Sequence, residues 1–129
     1  MIYLDSAAIV KLVHHESRSL DLAAWLNARP GVPLVSSALV EVEVPRAIRR
    51  SAPARLVGVP AALARLARLD IDVTVRAAAA TLPDPLLRSL DAIHVATAAQ
   101  LGSRLQWFVT YDVRLQRAAQ QAGLVVATP

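Results

Sequence analysis

At 129 residues without a cysteine, the chain has the length of one domain and lacks a disulfide framework, a thiolate metal site and a cysteine nucleophile. Its apolar runs reach about nine residues (Leu56 to Ala64), far below the ~20 that cross a bilayer, and Asp5 and Lys11 break the pattern of a signal peptide. A single cytoplasmic domain over residues 1–129 with no membrane association is therefore expected. The net charge is +4 and every basic residue but Lys11 is arginine, whose guanidinium fork matches phosphate oxygens, although codon usage in a GC-rich genome also favours Arg and Ala. The 55% apolar content and mean hydropathy of +0.43 are high for a domain this small, so part of the surface is expected to be covered by another protein.

In chain order, Ile2-Tyr3-Leu4 reads as a short buried strand, and Asp5-Ser6 can cap a helix from Ala7 to about His14. A second helix is predicted from about Ser19 to Ala28, ending before Arg29-Pro30-Gly31. Val32 to Val35 reads as a strand, with Ser36-Ser37 as the cap of a long helix through Arg49, and another helix is predicted over Arg55 to Ala67. Leu69 to Val73 looks like a strand and Val75 to Leu82 a short helix before the Pro83-Asp84-Pro85 loop. The apolar helix Ser89 to Leu101 stops at Gly102; strand Trp107 to Thr110, helix Val113 to Ala122 closed by Gly123, and strand Leu124 to Ala127 complete the chain. Strands alternating with helices predict a mainly parallel sheet with helices on both faces.

Of the ten acidic residues, four stand where the fold has least use for a charge. Asp5 and Asp112 each follow a predicted strand, at the sheet edge where open α/β folds bind ligands. Asp91 opens an otherwise apolar helix, where it also interacts favourably with the helix N-terminus. On the long helix Glu41 and Glu43 lie about 200° apart, so only one can face the sheet edge. Glu43 falls nearer the middle of the apolar arc and is the better inward candidate, with Glu41 as the alternative; Pro45 is expected to kink the helix nearby. Two carboxylates about 4 Å apart repel by something like 4 kcal/mol at an effective dielectric near 20. Gathered together, Asp5, Glu43, Asp91 and Asp112 call for a hard divalent cation, and oxygen ligands favour Mg²⁺ or Mn²⁺ over zinc.

Four blocks carry a family resemblance: Ile2-Tyr3-Leu4-Asp5-Ser6, Val35-Ser36-Ser37-Ala38-Leu39-Val40-Glu41-Val42-Glu43-Val44-Pro45-Arg46-Ala47, Leu87-Arg88-Ser89-Leu90-Asp91-Ala92-Ile93-His94-Val95-Ala96-Thr97-Ala98, and Phe108-Val109-Thr110-Tyr111-Asp112-Val113-Arg114-Leu115. Each is weak alone, but in this order the chain resembles, over essentially its whole length, the PIN-domain nucleases and among them the VapC-type toxins of bacterial toxin–antitoxin pairs. The resemblance implies a three-layer α/β/α sandwich with strand order 3-2-1-4-5, placing the strands that end at Asp5 and Thr110 side by side. It also implies metal-dependent endoribonuclease activity, a cognate VapB-type antitoxin that blocks the site, and a homodimer. The family's four acids correspond to Asp5, Glu43, Asp91 and Asp112.

On this reading Asp5 and Asp91 are direct or water-bridged ligands of one or two Mg²⁺ or Mn²⁺ ions, Glu43 and Asp112 complete the site, and water attacks the phosphodiester in line. Thr110 is a candidate supporting hydroxyl, and Arg46, Arg49, Arg50, Arg88 and Arg114 are candidate phosphate contacts, each weighed against an ordinary solvated arginine. His94, one turn after Asp91, either orients a carboxylate or packs, and packing is the favoured reading; His14-His15-Glu16 reads as a solvent-facing helix end. With five aromatic residues (Trp 2, Tyr 2, Phe 1) there is little material for stacking bases, so RNA binding should rest on backbone charge. A haloacid-dehalogenase-type phosphotransferase is disfavoured because Ala7 stands where it needs a second Asp. The early acidic pair and mid-chain phosphoacceptor Asp of a response-regulator receiver are not evident, and no Gly-Lys-Ser/Thr motif of a P-loop is present. The remaining alternative is a catalytically silent PIN-like module that binds RNA or a partner, which has no need of four acids.

Overall fold

The computed structural model describes residues 1–129. Five short strands, β1 (Ile2–Leu4), β2 (Leu34–Ser37), β3 (Ala67–Leu69), β4 (Trp107–Val109) and β5 (Val126–Ala127), form one sheet in the order β3-β2-β1-β4-β5. Every pairing is parallel, with Tyr3 opposite Val35 on one side and Phe108 on the other. The strand order reverses at β1, so the carboxyl ends of β1 and β4 border the crevice where such sheets bind ligands.

The period-2 alternation of β1 separates two cores. Ile2 and Leu4 point to a layer built from α1 (Ser6–Val13), α2 (Ser19–Asn27), α3 (Val40–Ser51) and α4 (Val59–Ala64), with Ile9, Leu22, Val44 and Ile48 at its centre. Tyr3 points to the opposite layer, joined by Val35 and Phe108 and covered by Val95 and Ala98 of α6 (Ser89–Ala99) and Leu115 and Ala119 of α7 (Val113–Gln121). Helix α5 (Val73–Ala80) buries Val75. The result is the expected three-layer α/β/α arrangement. No helix is long and apolar enough to cross a membrane.

The structure moves several predicted boundaries. The expected helix over Arg55 to Ala67 is instead a 3₁₀ segment, Pro53–Gly58, followed by the short α4. Pro60 has no amide hydrogen to bond back to residue 56 and its ring crowds that carbonyl, and it stands in the first turn of α4, where neither costs a hydrogen bond. The third strand is Ala67–Leu69 rather than Leu69 to Val73, because Asp72 turns the chain out of the sheet by capping α5 through Val75 N at 2.8 Å. Ser36 and Ser37 lie within β2 rather than capping the helix: Ser36 Oγ donates to the Leu4 carbonyl at 2.6 Å and Ser37 Oγ accepts from Leu39 N at 3.3 Å, while α3 starts without a side-chain cap. Helix α3 runs unbroken through Pro45.

The Asp72 cap has a measurable weight. Asp72→Ala should lower stability in urea unfolding by about 1 kcal/mol, and Asp72→Asn, which keeps the acceptor, should change it little.

Candidate active site

Asp5 leaves β1 and immediately caps α1, its Oδ1 accepting from Ala8 N at 2.7 Å. Asp112 repeats the device after β4, its Oδ1 accepting from Arg114 N at 2.7 Å and Leu115 N at 3.1 Å at the start of α7. β1 and β4 are therefore each followed, at once or within three residues, by a carboxylate fixed by the next helix. Asp91 stands in the first turn of α6, and Glu43 projects from the first turn of α3. All four acids line a single cleft of about 590 Å³, together with Ser6, His94, Arg46, Arg50 and Arg88. Glu41 faces away and pairs with Arg68 at 2.6 Å, so Glu43 is the glutamate of α3 that reaches the cleft.

The electrostatics of the four differ. Asp5 is only 3% exposed. Its burial pushes the carboxyl above its ordinary range, opposed by hydrogen bonds from the Thr110 side chain and the Ala8 amide. Desolvation and the neighbouring charge of Asp112 likewise raise Asp91. Partial burial also acts to raise Glu43, but hydrogen bonds from His94 and Ser6 outweigh it and hold this carboxyl below its ordinary range. No lysine or arginine forms an ion pair with Asp5, Asp91 or Asp112. The floor of the cleft is thus acidic and partly desolvated, with no lysine or arginine paired directly to Asp5, Asp91 or Asp112, while Arg46, Arg50 and Arg88 supply a basic wall.

That floor fits a hard, oxygen-binding cation such as Mg²⁺ or Mn²⁺ better than a zinc-type site. No three His, Asp or Glu side chains converge at direct ligand spacing, and both ring nitrogens of His94 are already engaged, by Tyr3 and Glu43. Magnesium commonly takes only one or two carboxylates and keeps several waters, which matches carboxylates spread around an open cleft. Asp5, Asp91 and Asp112 are the groups with the chemistry and the surplus charge to hold it.

The remaining candidates are distributed as follows. Thr110 is fully buried; besides bonding Asp5, its Oγ1 accepts from Asp112 N at 3.2 Å, so it ties the two strand-end acids together. Arg114 contributes its backbone amide to Asp112, but its exposed side chain is not part of the cleft wall, and neither is that of Arg49. Glu16 does reach the cleft, where it is paired with Lys11 at 2.8 Å, whereas His14 and His15 do not. His94 is 2% exposed, and its Nε2 lies 2.8 Å from Glu43 Oε2, so it contacts a carboxylate as well as packing. Two contributors went unread in the sequence. Ser6, seen only as part of a cap signal, donates to Glu43, and Tyr3, seen only as core, bonds His94 at 2.7 Å.

The PIN domain family model matches residues 2–121. The chain belongs to the PIN-domain family. Within it, the chain is 50% identical over 131 residues to ribonuclease VapC35 of Mycobacterium tuberculosis, covering 100% of this chain and 97% of that protein. It is 46% identical over 129 residues to ribonuclease VapC46 of the same species, covering 99% and 97% respectively. Its place is therefore among the VapC ribonucleases. Two solved structures share the fold at low sequence identity. M. tuberculosis VapC20, a Sarcin-Ricin loop cleaving toxin, superposes with a TM-score of 0.79 at 15% identity over 100% of both chains. Rickettsia felis VapBC2, bound to a DNA fragment from its promoter, gives 0.71 at 17% identity, covering 99% of this chain and 98% of that one.

The buried carboxylate of Asp5 has a thermodynamic signature. Its folded-state pKa lies above the ordinary 3.8, so the fold loses stability as pH rises from about 3.8 through that raised value. Asparagine keeps the cap acceptor without the charge. In EDTA, Asp5→Asn should therefore be more stable than wild type at neutral pH, with a gap that widens over that window. Urea unfolding measures it; a neutral-pH variant less stable than wild type contradicts the burial cost.

Proposed function

We propose that this protein is an endoribonuclease of the VapC type, the toxin of a toxin–antitoxin pair, hydrolysing RNA phosphodiester bonds with the help of Mg²⁺ or Mn²⁺. The observation that carries the reading is the convergence of Asp5, Glu43, Asp91 and Asp112 on one cleft, at the carboxyl edge between β1 and β4, in a chain of this family. A partner-binding module has no need to hold four acids there, two of them raised in pKa by the arrangement.

In the proposed mechanism Arg46 and Arg50, one turn apart on α3, and Arg88 at the start of α6 receive the RNA backbone. They place a phosphodiester over the acidic floor without reading bases, in keeping with the absence of an aromatic platform among the lining residues. Asp5 and Asp91, assisted by Asp112, would hold the cation, and Glu43 completes the acidic lining from the α3 side. When bound, the cation lowers the pKa of water and offsets the charge that develops on the phosphate. Thr110 keeps Asp5 and Asp112 in register, and the helix caps keep both from swinging out of the cleft.

The partner side of the proposal is a VapB-type antitoxin covering the cleft, and a second copy of this chain. Exposed apolar side chains around the acids support it: Val42 is 59% and Leu90 46% exposed in the cleft wall, and Val113 is 59% exposed beside Asp112.

Purified wild-type protein should release discrete fragments from total cellular RNA in Mg²⁺ or Mn²⁺ and none in EDTA. Asp5→Asn and Asp91→Asn should fold and fail to cleave. Full activity of either variant, or cleavage in EDTA, overturns the assignment; a folded, antitoxin-free wild type inert on all RNAs favours the binding module. Binding should weaken steeply with salt, and removing Arg46 or Arg50 should reduce the slope of log K against log salt by about 1 each, uniformly across RNA sequences.

A further inference from the structure

Three of the four acids need little to keep them in place. Asp5 and Asp112 are short side chains clamped as caps of their own helices, and Asp91 is a short side chain on a packed helix turn. Glu43 differs. It stands inside α3 with no backbone partner, on a longer side chain whose ordering costs rotamer freedom. What fixes it is a chain of side-chain hydrogen bonds drawn from other elements. His94 of α6 meets Glu43 Oε2 through Nε2 at 2.8 Å, and Ser6 of α1 donates to the same oxygen. Ser6 Oγ also lies 3.3 Å from Nε2. The other imidazole nitrogen, Nδ1, is 2.7 Å from the phenolic oxygen of Tyr3, which itself accepts from Ser37 N at 3.1 Å.

A carboxylate only accepts, so Nε2 carries the hydrogen; Nδ1 then accepts from the Tyr3 hydroxyl, whose oxygen takes the Ser37 amide. A neutral imidazole satisfies every group in the chain, and no buried side-chain polar atom is left without a partner. The chain begins on the backbone of β2 and passes through fully buried Tyr3, which stacks on Phe108 at 5.1 Å and meets the His94 ring edge-on at 5.8 Å. A histidine that merely packs would not need both nitrogens matched to side chains of two different elements. Because both bonds to Glu43 fall on Oε2, Oε1 is left to the cleft.

We infer that His94 is a positioning residue, which, anchored by Tyr3 and helped by Ser6, holds Glu43 so that its free oxygen faces the cation-binding floor. The inference rests on the proposed nuclease reading, since it assigns His94 a part in that same site. Groups that orient ligands in this way typically contribute 10- to 100-fold to cation affinity or activity.

The test is a double-mutant cycle on the full chain, read by Mn²⁺ titration and by cleavage kinetics, with urea unfolding to confirm that each variant is folded. His94→Ala should weaken Mn²⁺ binding and lower kcat by about 10- to 100-fold, with KM for RNA little changed. His94→Gln, which keeps an N–H donor at similar reach, should recover most of the loss. In a Glu43→Ala background the further change His94→Ala should alter Mn²⁺ affinity by less than about twofold, because the group it positions is gone. Wild-type Mn²⁺ affinity in His94→Ala, or a loss that persists undiminished without Glu43, overturns the inference and leaves His94 a core residue. Failure of wild type to cleave while the Mn²⁺ cycle is non-additive defeats the nuclease reading alone; failure of wild type to bind Mn²⁺ defeats both.

Discussion

The structure turns on the carboxylate of Asp5, which is buried at the end of the central strand and has no cationic side chain to balance it. Burying a charge in this way is costly unless it is hydrogen-bonded. The fold limits the cost by making Asp5 the cap of α1 and by aiming Thr110 at it from the neighbouring strand. Neither device neutralises the charge. The residue is therefore held in a condition that a bound cation relieves, and the parallel pairing of β1 with β4 brings Asp112 to the same edge.

From that constraint the division of labour among the acids follows. Acids at strand ends inherit their positions from the strand-to-helix turn, so their geometry is as rigid as the sheet. The acid on α3 approaches from the side and needs a network spanning β2, β1 and α6. The basic residues line the same cleft, on α3 and at the start of α6, and none forms an ion pair with Asp5, Asp91 or Asp112. Acidic floor and basic wall in one cleft suit a reaction in which a cation and a phosphodiester must meet.

What the sequence made legible was local. Strand, acid and helix follow one another directly at Ile2–Ala7 and at Trp107–Val113, so both strand-end acids could be placed from adjacent residues. The helical spacing of Glu41 and Glu43 favoured the one that proves to reach the cleft. The strand order came from family likeness, because nothing in a parallel strand's own pattern names its neighbours. The Tyr3–His94–Glu43 network was illegible for a physical reason: its contacts join residues 91 and 51 positions apart, and a tyrosine in an apolar run looks the same whether or not its hydroxyl is used. Adjacency to Asp112 places the Arg114 backbone amide at the site, while its exposed side chain lies outside the cleft lining. The broken helix before α4 was signalled by Pro60, and the shortened β3 by Asp72, but in each case the apolar pattern outweighed the local cue.

The central claim is that this cleft, and no other part of the surface, holds the cation on which RNA hydrolysis depends. A crystal of the active protein grown with Mn²⁺ and measured for anomalous scattering tests it most directly. The account predicts a peak in the cleft, within reach of Asp5, Asp91 and Asp112, that disappears in Asp5→Asn. Anomalous density confined to carboxylates outside the cleft, in protein that cleaves RNA, would contradict it.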